Sequence, residues 1–241
     1  MNDQMAARLR AIAQLGMYFQ LTPVSDTSEP PIWGRLSELY SPDGAGELLR
    51  LVDDVRGRIG NPERRVAASI LHLGLAARLW SPLLGAAALS EDGTPALVRL
   101  PAEQMRWAMP PGSGMALRLD DARAWQPADT AAAVLTEVLD GHLAPFEQAL
   151  AQHVTLASGL LRGNAASALV GSLRVLSTAQ VPNLVAAEEL AMELLAQPAL
   201  RETGAFALRP LRFRRTSCCL YYRVPGGGLC GDCVLDKVPG G

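Results

Sequence analysis

The feature that most constrains this chain is a group of cysteines near its carboxyl end. All four cysteines of the 241-residue sequence, Cys218, Cys219, Cys230 and Cys233, follow the pattern C-C-x10-C-x2-C. Four thiolates are the complete ligand set of a tetrahedral zinc site and also of an iron–sulfur cluster. The sequence therefore predicts a metal centre in this segment, with these four residues as its ligands.

The composition is typical of a soluble and mainly helical protein. Apolar residues make up 49% and charged residues 19% of the chain, and the net charge of -2 creates no general demand for nucleic acid. Aromatic residues are only 5%, which favours helix over sheet. The amino-terminal segment lacks the apolar core of a signal peptide, and His72, Arg78 and Pro82 interrupt the most apolar stretch. We expect a cytoplasmic protein without a transmembrane segment, which can still rest on the inner face of the membrane.

The hydrophobic periodicity predicts an α+β fold, with a predominantly helical body and a small antiparallel sheet. Apolar stripes predict helices over 5–20, 47–58, 62–80, 130–176 and 185–196. Pro82 is expected to end the third of these helices. Asn61, Asn164 and Asn183 are expected to cap helices. The segment 105–119 alternates around a Pro/Gly turn and predicts two strands.

The domain organisation follows from the same pattern. We expect a mainly helical body at 1–208, with a short β insertion near 96–125, and a C-terminal cluster-binding module at 209–241. The sequence has no internal repeat or long linker, so the two parts are expected to form one integrated domain.

The spacing of the cysteines favours an iron–sulfur cluster over a zinc ion without deciding between them. Only Cys230-Gly231-Asp232-Cys233 has the C-x2-C form of a zinc knuckle. Neighbouring side chains in extended backbone point to opposite faces, so Cys218 and Cys219 cannot easily bind one ion together. A [2Fe–2S] cluster has two irons, each of which needs two thiolates, and therefore accepts more diverse ligand directions.

Arginine is concentrated around the cysteines. Between residues 201 and 223 the chain has six arginines and a single acidic residue, Glu202. Their positive charge would raise the reduction potential of an anionic cluster, or attract an anionic substrate or an acidic electron-transfer protein. The alternative is an ordinary solvated arginine face or a weak nucleic-acid patch.

The cysteine pattern at the carboxyl terminus resembles the signature of FhuF-like ferric siderophore reductases. The segments LWSPLLGAAAL and LLRGNAASALVGSLRVL are also similar to segments of that family, although the second has Arg162 where an aromatic residue is usual. The resemblance implies that Cys218, Cys219, Cys230 and Cys233 bind a [2Fe–2S] cluster. It further implies an oxidoreductase that reduces Fe(III)–siderophore by one electron and releases Fe(II) in the cytoplasm. No catalytic residue beyond the cluster is implied.

The partners expected on this hypothesis are a ferric siderophore and an external electron donor. The sequence contains no G-x-G-x-x-G motif and no P-loop, so electrons should come from a ferredoxin or an NAD(P)H-dependent reductase. Tyr221, Tyr222 and Arg223 are candidates for the surface that the siderophore approaches, although at least one tyrosine is expected to pack on the body instead. No nucleic acid is expected. The alternatives are a non-enzymatic zinc-binding interaction protein, and a [2Fe–2S] electron carrier or redox sensor with another client.

Overall fold

The computed structural model describes residues 2–23, 33–90, 97–110, 114–120 and 126–239. The α-helices in these ranges are α1 (Asn2–Ala13), α2 (Leu36–Leu39), α3 (Ala45–Arg58), α4 (Arg64–Ala88), α5 (Ala131–Val138), α6 (Ala144–Ala151), α7 (Ser158–Thr178) and α8 (Leu184–Ala196). The strands are β1 (Leu21–Pro23), β2 (Gly34–Arg35), β3 (Val98–Arg99), β4 (Met105–Ala108), β5 (Ala116–Leu119), β6 (Gln126–Pro127), β7 (Gly204–Leu208) and β8 (Leu211–Arg215). The predicted α+β class, with a mainly helical body, is confirmed.

Helix α4 forms the centre of the molecule and packs against α3, α7 and α8. Leu75, Leu79 and Trp80 on this helix are fully buried in the common hydrophobic core. The helix is long and apolar enough to cross a membrane by length and composition, but 78% of its most apolar window is buried inside the protein. That degree of burial fits the core helix of a soluble protein.

Pro82 lies inside α4, so the prediction that it ends this helix was wrong. The helix continues to Ala88, and every residue from Arg78 to Ala88 is buried. A proline inside a helix removes one backbone hydrogen bond and costs about 3 kcal/mol. Burial of the last two turns offsets that cost, because each large apolar side chain that leaves water contributes about 1.5–3 kcal/mol. Tertiary packing here overrides a local stop signal.

The sheet that the sequence placed near 96–125 forms around the predicted hairpin. Strands β4 and β5 are antiparallel, with Met105 opposite Leu119 and Trp107 opposite Leu117. The strand order is β1-β5-β4-β2; β2 adds antiparallel to β4, and β1 adds parallel to β5. Residues 96, 111–113 and 121–125 of the predicted insertion lie outside the described residues.

The end of α1 differs from its prediction, whereas the start of α8 agrees with it. Helix α1 ends at Ala13 rather than near residue 20, and Gly16 then adopts a φ of 147°, which favours glycine. Asn183 caps α8 as predicted, because its Oδ1 accepts a hydrogen bond from the backbone N–H of Ala186 at 3.1 Å.

The carboxyl-terminal segment begins with a hairpin of β7 and β8, in which Phe206 lies opposite Phe213. Strand β8 packs on α7, and Phe213 is part of the main core. The hairpin spans residue 209, the expected start of the module. The division into a body at 1–208 and a module at 209–241 stays a prediction.

Candidate metal centre

The four cysteines lie just after β8 and in the loop that follows the turn Tyr221–Arg223. Cys219 is buried, whereas Cys218, Cys230 and Cys233 are half-buried. The backbone N–H of Leu220 donates to Cys218 Sγ at 3.3 Å, and that of Leu235 donates to Cys233 Sγ at 3.4 Å.

The backbone N–H groups of Tyr221 and Asp232 act to lower the pKa values of the Cys219 and Cys230 thiols. The sulfurs of Cys218 and Cys233 each accept a backbone N–H, an interaction that stabilises thiolates and tunes iron–sulfur centres.

The fold brings the four thiols together. The thiols of Cys219 and Cys230 interact closely, and this interaction lowers the pKa of the Cys219 thiol to about 6. The same interaction raises the pKa of Cys230, because one thiolate disfavours ionisation of its neighbour. Cys233 is close enough to interact electrostatically with both Cys218 and Cys230. Across the described ranges, no group of three or more His, Cys, Asp or Glu side chains is arranged to hold a metal ion.

Arg215 provides a test of whether this site suits an anionic metal group. Its side chain is only 2% exposed, and its Nη2 donates to the carbonyl oxygen of Leu160 at 3.1 Å. Its Nε and Nη1 have no partner, and no carboxylate pairs with it in the part of the chain that the structure describes. Burial raises the pKa of Cys218, and the charge of Arg215 acts against this rise and also lowers the pKa of Cys219. A buried, unpaired guanidinium is costly, and a cluster held by thiolates would supply the missing negative charge. The residues present therefore fit a [2Fe–2S] group.

Asp232, between the last two cysteines, anchors their loop to α7. Its carboxylate is buried and accepts hydrogen bonds from Ser167 Oγ and, at 2.7 Å, from Arg174 Nη2. Its carbonyl oxygen accepts the backbone N–H of Arg215 at 3.0 Å. The cysteine spacing alone assigns Asp232 no role. The available signal was an acidic residue between two predicted metal ligands.

Helix α4 holds the first cysteine pair through a second set of buried contacts. Ser69 Oγ donates to the carbonyl oxygen of Cys219 at 2.7 Å, and Asn164 Nδ2 donates to the carbonyl oxygen of Ser69 at 2.9 Å. Asn164 lies in the interior of α7, so its prediction as a helix cap was wrong. Its side chain instead links α7 to α4 beneath the cysteines.

Asn61 is not the N-cap of α4, a position that Glu63 occupies, although its Oδ1 accepts the backbone N–H of Glu63 at 2.8 Å. Its Nδ2 donates to the carbonyl oxygen of Arg223. Asn61 thus connects the start of α4 to the end of the turn Tyr221–Arg223, which lies between the two cysteine pairs.

Most of the clustered arginines are exposed and form ion pairs, one of which, Arg209–Glu188, has a buried carboxylate. Arg201 pairs with Glu202, Arg209 with Glu188, Arg214 with Asp236, and Arg223 with Glu63. Arg212 is exposed and has no carboxylate partner within the described residues, and Arg215 is the buried guanidinium described above. The solvated-face interpretation therefore fits five of the six arginines, and the buried Arg215 is the one that acts on the cysteines.

Cys230 lies in the walls of two surface cavities. The larger, about 590 Å³, lies between α4, α7 and the amino-terminal segment, and its walls include Cys230, Gly231 and Arg78. The smaller, about 400 Å³, is lined by Cys219, Cys230 and Tyr221. Tyr222 is not part of either wall; the guanidinium of Arg223 lies 5.7 Å from the centroid of its ring.

Comparison with known families identifies the cysteine segment. Residues 215–235 match the family described as the FhuF 2Fe-2S C-terminal domain, and this match includes the four cysteines together with Arg215 and Asp232. No curated protein matches the chain. The expected cofactor, a [2Fe–2S] cluster, is confirmed by this match. The resemblance seen in the sequence is thus borne out, and the protein carries an FhuF 2Fe-2S C-terminal domain at residues 215–235.

Proposed function

We propose that this protein is a cytoplasmic ferric siderophore reductase in which Cys218, Cys219, Cys230 and Cys233 hold the [2Fe–2S] cluster. When bound, the cluster supplies one electron, so that Fe(III) in the siderophore becomes Fe(II) while the cluster returns to its oxidised state. Siderophores hold Fe(III) through hard oxygen donors, and these bind the larger, less charged Fe(II) far more weakly. One electron is therefore enough to release the iron.

The observation that carries this proposal is the position of Cys230 on the wall of the 590 Å³ cavity. The cavity is open to solvent, and its walls are mainly apolar, with Ile70, Leu73 and Met115 among them. A ferric chelate seated there would lie beside a ligand of the proposed cluster. The backbone hydrogen bonds to the sulfurs and the buried charge of Arg215 support an anionic group on the other side of that wall.

Electrons would reach the protein from an external donor, such as a ferredoxin or an NAD(P)H-dependent reductase. Arg212 is exposed beside β7 and lines a shallow surface cavity with Arg174 and Arg214. Such a basic surface suits a transient encounter with an acidic electron-transfer protein, because charge complementarity speeds association. This basic surface would receive the electron from the donor, and the cavity at Cys230 would hold the ferric siderophore that accepts it.

Single-turnover kinetics tests the proposed function. Anaerobically purified protein should be coloured, and its visible absorption should bleach when dithionite reduces it. Mixing the reduced protein with ferric siderophores under a chromogenic Fe(II) chelator should restore the oxidised absorption and release one Fe(II) per cluster.

Cys230→Ser is the control for this experiment. It should lack the coloured cofactor and the Fe(II) release while keeping its helical circular dichroism, since the core around α4 does not depend on that thiol. Colourless wild-type protein with stoichiometric zinc after cluster reconstitution would contradict the proposal. A reduced cluster that no ferric siderophore reoxidises would leave an electron carrier or redox sensor instead.

A further inference from the structure

Arg78 on α4 is a buried cation that pairs with no carboxylate in the part of the chain that the structure describes. Its side chain lines the 590 Å³ cavity, yet the residue is only 7% exposed. Among the described residues, its Nη1 makes a long hydrogen bond of 3.4 Å to the carbonyl oxygen of Gly74, and its guanidinium carbon lies 4.7 Å from the ring centroid of Tyr18, with which it also interacts electrostatically. No acidic side chain pairs with it among the described residues. Burial lowers the pKa of Arg78 from its usual value, the sign of a charge held away from water.

The surroundings of Arg78 leave its charge uncompensated. Three arginines, Arg58, Arg78 and Arg174, line this cavity, and Asp232 is the one acidic residue among the described residues of its wall. Asp232 already accepts hydrogen bonds from Arg174 and Ser167. Arg58 is exposed at the cavity and forms no ion pair within the described ranges. The cavity therefore has an excess of positive charge, which a bound anion would balance.

The remaining wall is apolar and deformable. Met17, Met109 and Met115 line the cavity near Arg78. Thioether side chains adapt to irregular surfaces and make favourable contacts with aromatic rings. Such a wall suits a ligand with flat apolar faces, whereas a small hydrophilic anion such as phosphate would leave these side chains unused.

We propose that the cavity binds an anionic metal chelate with aromatic faces, whose negative charge is held by Arg78 and whose rings contact the methionines. That the bound chelate is the ferric substrate rests on the proposed function; the preference for an anion does not. The chemistry favours a trianionic tris-catecholate over an uncharged tris-hydroxamate, because only the former offers charge to a guanidinium in a cavity of low dielectric.

Calorimetric titration with gallium(III) chelates tests the anion preference without electron transfer. Ga(III) has the charge and coordination of Fe(III) but accepts no electron from a biological reductant. The cluster-loaded wild-type protein is titrated with gallium(III) tris-catecholate and with an uncharged gallium(III) tris-hydroxamate. We expect the trianionic complex to bind at least about tenfold more tightly, the factor given by one charge-assisted hydrogen bond. This advantage should shrink as the KCl concentration rises.

Substitution of Arg78 assigns the charge preference to this residue. Arg78→Met keeps the length of the side chain without its charge and should weaken binding of the trianionic complex about tenfold or more. Binding of the uncharged complex should not change. Arg78→Lys keeps the charge but not the planar donor fork, and should retain part of the preference. The matched control is Arg50→Met, since Arg50 is exposed on α3 and does not line the cavity.

Two results would overturn the proposal. One is wild-type protein that binds the two gallium complexes equally well, a result that needs no variant to fold. The other is a folded Arg78→Met protein with unchanged affinity for the trianionic complex. The proposed function fails separately: a protein that prefers the anionic gallium complex, but whose reduced cluster no ferric chelate reoxidises, keeps the site and loses the reductase activity.

Discussion

At the scale of the residue, Asp232 holds the C-x2-C loop against α7 through its hydrogen bonds to Ser167 and Arg174. We predict that Asp232→Asn lowers the free energy of unfolding by about 1–3 kcal/mol, the range for loss of a charge-assisted hydrogen bond in a buried setting. The variant should also lose its visible absorption faster in urea than the wild type does, because the loop is less firmly attached to Ser167 and Arg174. Both quantities can be followed in one denaturation series under anaerobic conditions.

Asp236→Asn is the matched control, because Asp236 also pairs with an arginine in the terminal segment. Its side chain is 84% exposed, against 7% for Asp232. An exposed pair contributes about 0–1 kcal/mol, so this variant should remain close to the wild type. Equal effects of the two substitutions would show that burial of Asp232 has no energetic consequence.

At the scale of the element, α7 approaches the cysteine segment so closely that one position requires glycine. A Cβ on Gly163 would lie 2.8 Å from Arg215 Nη2 and would also collide with Ser217 Oγ. Neither side chain is free to move: Arg215 is buried, and Ser217 Oγ donates to the carbonyl oxygen of Gly159 at 2.7 Å. We predict that Gly163→Ala destabilises the protein by about 1–3 kcal/mol through overpacking.

Gly171→Ala on the same helix is the control for Gly163→Ala. A Cβ at Gly171 meets no atom within 4 Å. Alanine has the higher helix propensity, so this variant should be more stable than the wild type by up to about 1 kcal/mol. Thermal unfolding of both variants measures the contrast. Stabilisation by both substitutions would mean that α7 and the cysteine segment are not in close contact.

At the scale of the whole molecule, His142 connects three parts of the body. It lies in the π-helical turn Leu139–Leu143 between α5 and α6 and is completely buried. Its Nε2 faces the carbonyl oxygen of Leu100 and therefore carries the proton, while its Nδ1, 3.1 Å from the hydroxyl oxygen of Tyr40, accepts from that hydroxyl. Burial lowers the pKa of His142 from the usual 6.5.

We predict that His142 makes the protein less stable as the pH falls below neutrality. The unfolded chain takes up a proton near its ordinary pKa of 6.5, and the folded protein does so only at lower pH. The free energy of unfolding therefore decreases between these two pKa values, by at most about 1.4 kcal/mol per pH unit for one proton. Urea unfolding at several pH values measures this slope.

His142→Gln should flatten this part of the pH profile, although it will be less stable at neutral pH because it loses a buried hydrogen bond. The control is His153→Gln, since His153 is exposed and its loss should leave the profile unchanged. A His142→Gln profile as steep as that of the wild type would place the responsible group elsewhere.

The sequence predicted best where a signal was local and periodic. The hairpin of Met105–Ala108 and Ala116–Leu119 and the Asn183 cap were recovered because alternation and capping depend on neighbouring residues. The predictions for Pro82 and Asn164 were wrong for the complementary reason. Proline locally favours the end of a helix and asparagine favours a cap, but the packing of α4 against α7 outweighs both preferences. That packing joins segments far apart in the chain and leaves no local pattern in the sequence.

By itself, the sequence determined the α+β class and the four thiols of an FhuF 2Fe-2S domain, because helical periodicity and ligand spacing are properties of short segments. Only the tertiary structure decided what surrounds those thiols. Ser69 and Cys219 are 150 residues apart and Ser167 and Asp232 are 65 apart, yet each pair is joined by a buried hydrogen bond. The same long-range packing buries Arg215 beside the cysteines and Arg78 in the cavity. Whether a charge is buried or solvated depends on chain segments far away in sequence, and no local pattern records it.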